Sequence, residues 1–300
     1  MPEIMCEGVS LRYGKHEALR DISFTLKENT ICGLLGRNGA GKTSLMALLA
    51  SYRKADSGKL LIDGEPVFDN PRIMPQVAFI RNRNEESNTL RVKESLRAAS
   101  VFRPNWDGDY ARKLLELFEI PANKPVYKLS LGMQASVRGI IGLAGRSPIT
   151  LYDEAYLGMD AAIRKLFIHE ILEDYMRYPR TILFSTHFIS EVENMLSEVL
   201  VIADGRILIH EDCDTLRARG AAIAGNSAAV DELCASYGLK PLNERTLGGL
   251  KEVIIFGEIT EEQRSNAVRQ GLSFSQPPLQ DMFVHITEKQ TGKPDSGSIR

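Results

Sequence analysis

Apolar residues fall in short separated runs along the chain. Mixed alternation over residues 4–13 and 22–26 predicts two half-buried strands at the start. Thr30-Ile31-Cys32-Gly33-Leu34-Leu35 is instead a continuous apolar run, which suits a strand covered on both faces of a parallel sheet. A glycine-rich stretch, 36–41, follows at once, and Ser44-Leu45-Met46-Ala47-Leu48-Leu49 then takes up a helical pattern. Ser57-Gly58 and Asp63-Gly64 are turn signals flanking a short strand at 59–62. Another apolar strand is predicted at 77–80. From 89 to 120 the period becomes helical, with Leu114, Leu115, Leu117 and Phe118 on one face and Asp107 or Asp109 as cap. Strands return at 149–152 and 181–185. Residues 199–202 and 206–209, joined by Asp204-Gly205, read as a hairpin.

A β-rich start, a strand–loop–helix unit, a helical insert and then alternating strands and helices make an α/β domain ending near Arg219. Small residues at 221–229 suggest a junction. Val253-Ile254-Ile255-Phe256 predicts a strand, and Thr260-Glu261-Glu262-Gln263 a capped helix start. The expected division is therefore 1–221 for the main domain, 222–288 for a small α+β appendage, and a polar, disordered tail at 289–300.

Composition narrows the class. The 300 residues are 43% apolar and 25% charged, which excludes a disordered, collagen-like or coiled-coil chain. Acidic residues number 39 and basic 37, a formal charge of −2, and a protein that grips nucleic acid by neutralising phosphates is normally more basic. No apolar run reaches the roughly 18 residues that span a bilayer; the longest, 139–151, is broken by Arg146 and Pro148. The first residues have no basic stretch leading into an apolar one, so no secretory signal is expected. Cys6, Cys32, Cys213 and Cys234 lack metal-ligand spacing and fit reduced thiols in a cytosolic setting.

Two segments carry chemistry. Gly36-Arg37-Asn38-Gly39-Ala40-Gly41-Lys42-Thr43 matches G-x-x-x-x-G-K-[ST] in full, and it lies between a predicted strand and a predicted helix. Glycines let backbone N–H groups turn inward around phosphate oxygens, and the helix beginning near Ser44 adds its positive end. Lys42 is placed to reach the β- and γ-phosphates of a nucleotide, and the Thr43 hydroxyl to meet Mg²⁺. The strand Ile149-Thr150-Leu151-Tyr152 delivers Asp153-Glu154 to its carboxyl end, where parallel sheets bind ligands. Asp153 suits a hard cation that keeps its waters. Glu154 suits polarising the water that attacks the γ-phosphate.

With these in place, the chain resembles the ATP-binding subunits of ABC transporters. Leu129-Ser130-Leu131-Gly132-Met133 resembles the signature motif of that family, usually Leu-Ser-Gly-Gly-Gln, and lies upstream of the acidic strand as the family requires. Leu157-Gly158-Met159-Asp160 resembles its D-loop. His187 matches the switch histidine that contacts the γ-phosphate, and Tyr13 the aromatic residue that stacks on adenine. The likeness covers residues 3–219. It implies a RecA-like P-loop core, an N-terminal antiparallel β subdomain and a helical subdomain at about 84–147. Two features depart from the pattern. Where the family has a glutamine, the aligned residue is Asn82, one methylene shorter, as a ligand toward Mg²⁺; Gln76 lies before the strand and is set aside, and Asn84 is the alternative if the alignment slips. Ala155 replaces the proline that commonly follows the catalytic glutamate. Pro278-Leu279-Gln280-Asp281-Met282-Phe283 is similar to an ending found in many drug- and antibiotic-export ATPases.

The resemblance thus implies an ATPase that uses ATP and Mg²⁺ and powers a separate integral-membrane permease, as an exporter, from the inner face of the cell membrane. Two ATP-binding subunits, identical or different, would sandwich two ATP molecules head to tail. Ser130 and Gly132 of one chain would then close the phosphate site of the other. The alternative reading is a soluble ABC ATPase acting on nucleic acid or the ribosome; the single motif set and the lack of heptads between Thr43 and Leu129 argue against it. Intact Lys42, Asp153, Glu154 and His187 argue against an inactive regulator.

Overall fold

The computed structural model describes residues 3–82, 88–257 and 259–291. These form two compact units, divided between His210 and Glu211.

The first unit begins with β1 (Ile4–Tyr13), β2 (His16–Leu26), β3 (Ile31–Leu35), α1 (Lys42–Leu49), β4 (Ser57–Ile62), β5 (Glu65–Pro66) and β6 (Val77–Arg81). Helices α2 (Val92–Val101), α3 (Gly108–Leu117) and α4 (Leu131–Gly145) follow. Then come β7 (Ile149–Asp153), α5 (Ala161–Arg177), β8 (Thr181–Thr186), α6 (Ile189–Val192), β9 (Glu198–Ala203) and β10 (Arg206–Asp212), whose last two residues fall past the division. Strands β1, β2, β4 and β5 make an antiparallel sheet in the order β2-β1-β4-β5. The second sheet has the order β10-β9-β3-β8-β7-β6, and its pairs from β9 to β6 are parallel. Every residue of β3, β7 and β8 is buried, as expected of strands covered on both faces. Parallel pairing puts the carboxyl ends of β3, β6, β7 and β8 along one edge, which is where the chemistry gathers.

Helix α1 lies between the two sheets. Its Leu45, Met46, Leu48 and Leu49 share one apolar cluster with Ile4, Val9, Leu19 and Ile22 of the antiparallel sheet and with Ile149, Leu151, Leu183 and Leu200 of the parallel one. Each such side chain contributes roughly 1.5–3 kcal/mol on burial. The position of the phosphate-loop motif is therefore fixed from both sides.

The helical stretch predicted over 89–120 is two helices. Pro104 lacks the N–H needed to continue α2, and Asp107 restarts the helix by accepting from Tyr110 N at 2.8 Å. Helix α4 lies close to α5 and β7 because Gly139 and Gly142 face them. A Cβ at either position would come within 2.7 Å of Phe167 or 2.8 Å of Tyr152. The hairpin turn Asp204-Gly205 has φ of 46° and 75°, the left-handed pair that two-residue hairpins need.

The second unit contains α7 (Cys213–Ala218), β11 (Gly220–Asn226), α8 (Ser227–Tyr237), β12 (Pro241–Leu247), β13 (Leu250–Phe256), α9 (Glu261–Arg269), β14 (Ser273–Ser275) and α10 (Leu279–Thr291). From β11 to β14 the order is β-α-β-β-α-β, and the antiparallel sheet runs β12-β13-β11-β14, the split βαβ arrangement. Alternation sends Ala221, Ile223, Val253 and Ile255 to one face, where Val230 and Leu233 of α8 and Ala267 of α9 cover them. Helix α10 covers the other face: Phe256 meets His285 with ring centroids 4.8 Å apart. Thr260 and Gln263 cap α9 reciprocally, as the sequence suggests.

Three expectations change. The small-residue stretch 221–229 is not a junction but β11 and the first turn of α8, because Ala and Gly side chains fit a sheet packed on both faces. The division of the chain falls earlier than residue 221, so α7 and β11 belong to the second unit. The expected tail at 289–300 begins inside α10, and residues 292–300 lie outside those described, as does Asn84.

Candidate active site

The loop after β3 is built by its glycines. Gly39 and Gly41 have φ of 82° and 115°, a region L side chains rarely adopt. A Cβ on Gly36 would also lie 2.5 Å from the Ile202 carbonyl oxygen. Gly41 is the cap residue of α1, so the helix's unpaired N–H groups open directly onto the loop. Lys42 is buried, and its ammonium donates to the carbonyls of Gly36 at 2.6 Å and Arg37 at 3.2 Å. Burial lowers its pKa, and the charges of Glu154 and Asp153 oppose that shift.

At the end of β7, Asp153 is 7% exposed. Its Oδ1 accepts from the hydroxyls of Thr43 at 3.1 Å and Ser185 at 2.9 Å. Two hard oxygens, one anionic, therefore converge from the two sequence motifs, and this donor set fits Mg²⁺ completed by water and phosphate. Glu154 takes a left-handed backbone, φ 48°, which is costly for a side chain of this type. Its N–H donates to Ser185 Oγ at 3.1 Å, which helps hold the turn. The carboxylate faces His187, with Nδ1 and Oε1 3.5 Å apart.

Tyr13, Asn38, Gly39, Gly41, Lys42, Thr43, Ser44 and Glu154 line one cleft of about 290 Å³, together with His16 and Ala18. Arg37 stands exposed beside it, and Ala40 is buried in the loop's turn, its N–H bonded to the Arg37 carbonyl at 3.1 Å. The Tyr13 ring is 38% exposed and carries the Arg53 guanidinium 5.0 Å from its centroid. A flat aromatic surface, an anion-binding loop and a cation-binding pair of oxygens in one cleft suit a purine nucleoside triphosphate.

The remaining predicted residues stand elsewhere. Ser130, Gly132 and Asp160 line a different cavity of about 520 Å³. There Ser130 caps α4 by accepting from Met133 N at 3.2 Å, and Asp160 caps α5 through Ala162 N and Ile163 N, both at 3.0 Å. Gly132 has no room for a side chain, since a Cβ would sit 2.7 Å from the Gly158 carbonyl oxygen. Within one chain these groups do not meet Lys42. Asn82 follows β6, but its Oδ1 accepts from Arg138 at 3.0 Å rather than facing Asp153. Gln76 ends a short 3₁₀ turn and bonds the Arg72 carbonyl at 3.0 Å. Sequence reasoning missed Ser185, although it closes a predicted strand in register with Asp153. It also missed Thr186, which accepts from Phe188 N at 2.8 Å beside His187 and bonds the Tyr156 hydroxyl.

Residues 19–157 match the family model described as ABC transporter. Among curated proteins, the chain is 28% identical over 202 residues to the ABC transporter ATP-binding protein YtrB of Bacillus subtilis, covering 67% of this chain and 69% of that one. It is 27% identical to the Nod factor export ATP-binding protein I of Ralstonia nicotianae, covering 96% and 95%. It is also 26% identical to a probable sulfate/thiosulfate import ATP-binding protein, CysA, of Chlorella vulgaris, covering 68% and 89%. A solved ATP-binding subunit of an ABC transporter superposes with a TM-score of 0.64 at 24% identity, covering 71% of this chain and 91% of that one.

Proposed function

We propose that the chain is the ATP-binding and ATP-hydrolysing subunit of an ABC transporter, as its match to that family model and its likeness to such subunits support, and that its own residues divide the work as follows. The 36–43 loop and α1 hold the phosphates, with Lys42 moving its ammonium from the Gly36 and Arg37 carbonyls onto them. Tyr13 stacks on the base. Thr43 and Asp153 hold Mg²⁺, which when bound neutralises charge on the phosphates. Glu154 accepts a proton from the attacking water, and His187 positions the Glu154 carboxylate and the γ-phosphate.

The separate cavity holding Ser130, Gly132 and Asp160 favours a two-chain site, in which these residues close the phosphate pocket of a second ATP-binding subunit. No described helix is long and apolar enough to cross a membrane. The proposed partner is a permease in the membrane, with this subunit on its cytoplasmic face, a reading supported by the likeness to ABC transporter ATP-binding proteins. Export is the direction we favour, because likeness to the Nod factor export proteins runs through the C-terminal unit as well as the ATPase.

The observation that carries the reading is the convergence of Thr43, Glu154 and Lys42 in one cleft, with Asp153 bonded to Thr43 at 3.1 Å. Glu154→Gln tests it. The variant should bind ATP as the parent does and lose turnover by about 10² to 10⁴, accumulating an ATP-bound dimer on size exclusion. Hydrolysis near the parent rate would remove Glu154 from its role.

A further inference from the structure

Asn82 is held at both ends. Its backbone N–H donates to the Asp153 carbonyl at 3.1 Å, next to the carboxylate that faces Thr43. Its side-chain Oδ1 accepts from Nη2 of Arg138 at 3.0 Å. Arg138 lies on α4, the helix that Ser130 caps. The eight residue steps from Ser130 to Arg138 span about 12 Å of rigid helix. One short chain of contacts thus runs from Thr43 through Asp153, Asn82 and Arg138 to the segment carrying Ser130 and Gly132.

An amide oxygen that accepts from a guanidinium is a poor ligand for a dication, because the two positive charges would crowd one oxygen. We propose that Arg138 is a positioning residue that competes with the divalent cation for the side chain of Asn82. While Arg138 holds the amide, Asn82 gives nothing to the cation, and α4 is tied to the end of β6. When Mg·ATP draws the amide toward Asp153, that bond to Arg138 is given up. The coupling is reciprocal: what loosens Arg138 must tighten Mg·ATP, and the converse. This inference rests on the ATP site proposed above.

The test uses the full chain and equilibrium binding of a fluorescent ATP analogue, with Mg²⁺ and with EDTA. Arg138→Met removes the guanidinium and keeps the stem. It should tighten binding about 5- to 10-fold in Mg²⁺ and leave the EDTA value unchanged. Asn82→Ala should abolish that gain, so the double variant should equal Asn82→Ala alone. An equal change with and without Mg²⁺, no change at all, or a gain that survives Asn82→Ala overturns the proposal. If Arg138→Met does not fold, Arg138→Lys, which keeps the charge and loses the fork, should tighten Mg²⁺-dependent binding by a smaller factor; an unchanged value there is equally fatal. A parent that binds the analogue no better with Mg²⁺ refutes the site itself. A parent that does, beside an inert Arg138→Met, refutes only the role of Arg138.

Discussion

Ser185→Ala probes the least conspicuous member of the site. The residue is fully buried, and its hydroxyl serves two groups at once. It donates to Asp153 Oδ1 at 2.9 Å and accepts from Glu154 N at 3.1 Å. The first bond reaches a charged acceptor, worth about 1.5–3 kcal/mol, and the second is an ordinary bond of about 1 kcal/mol. Alanine keeps the Cβ and leaves little cavity, so the expected loss is ~2.5–4 kcal/mol, the sum of the two. Trp106, the chain's one tryptophan, lies in the first unit, so its fluorescence during urea denaturation reports that unit alone. Activity should fall too. Without the hydroxyl, the left-handed turn at Glu154 loses a restraint, and small displacements of a catalytic group cost up to about 10²-fold in rate. The expected signature is lower kcat with ATP affinity kept within a factor of about three, because Lys42 and the loop are untouched. A stability loss under about 1 kcal/mol with kcat unchanged would mean that this hydroxyl neither restrains the turn nor supports Asp153.

Tyr13→Ala should weaken ATP binding by about 1–3 kcal/mol, measured by nucleotide titration, with the urea midpoint unmoved; an unchanged affinity places the base elsewhere. Gly132→Ala should destabilise the first unit by about 1–3 kcal/mol, since its Cβ meets the Gly158 carbonyl at 2.7 Å; a neutral urea midpoint refutes that packing. Arg146→Met should cost about 2–4 kcal/mol, because Arg146 pairs with Asp107 at 2.8 Å and with the buried Asp174 at 3.0 Å, although Arg180 still faces Asp174 at 2.8 Å; a loss below 1 kcal/mol argues that Arg180 suffices. Burial raises the Tyr156 pKa from the usual 10 to about 12. The folded state therefore keeps a proton that the unfolded chain gives up, and stability should fall as pH rises from 10 to 12. Tyr156→Phe should flatten that decline in urea midpoints taken across the range, and a slope identical to the parent's contradicts the assignment.

Local pattern was enough for much of the first unit. The phosphate loop is legible because its glycines and Lys42-Thr43 are contiguous and sit between a buried strand and a helix. Asp153 and Glu154 are legible because an apolar run ends in them. Ser185 is not, since its importance comes from lying beside Asp153 across two strands whose pairing no local pattern states. Arg138 is hidden for the same reason: its partner, Asn82, is 56 positions away. The second unit was harder to read because three of its four strands, β11, β12 and β14, are poor in β-branched residues. Gly220, Ala221, Ala222 and Ala224 look like linker, yet they lie on an inner strand, where a Cβ on Gly220 would already come within 3.1 Å of Met282.

That inner strand has a consequence for how such chains change over time. The split βαβ unit opens on β11 and closes on β14, and these two strands are direct neighbours, Ala222 beside Ser275 and Ala224 beside Ser273. Its first and last strands thus meet at one place, and one apolar cluster of the unit is built from residues 221–274. A module closed in this way can be exchanged as one block without re-routing a strand of its own sheet. The ATP-hydrolysing half can therefore stay constant while selection tries different passengers behind it.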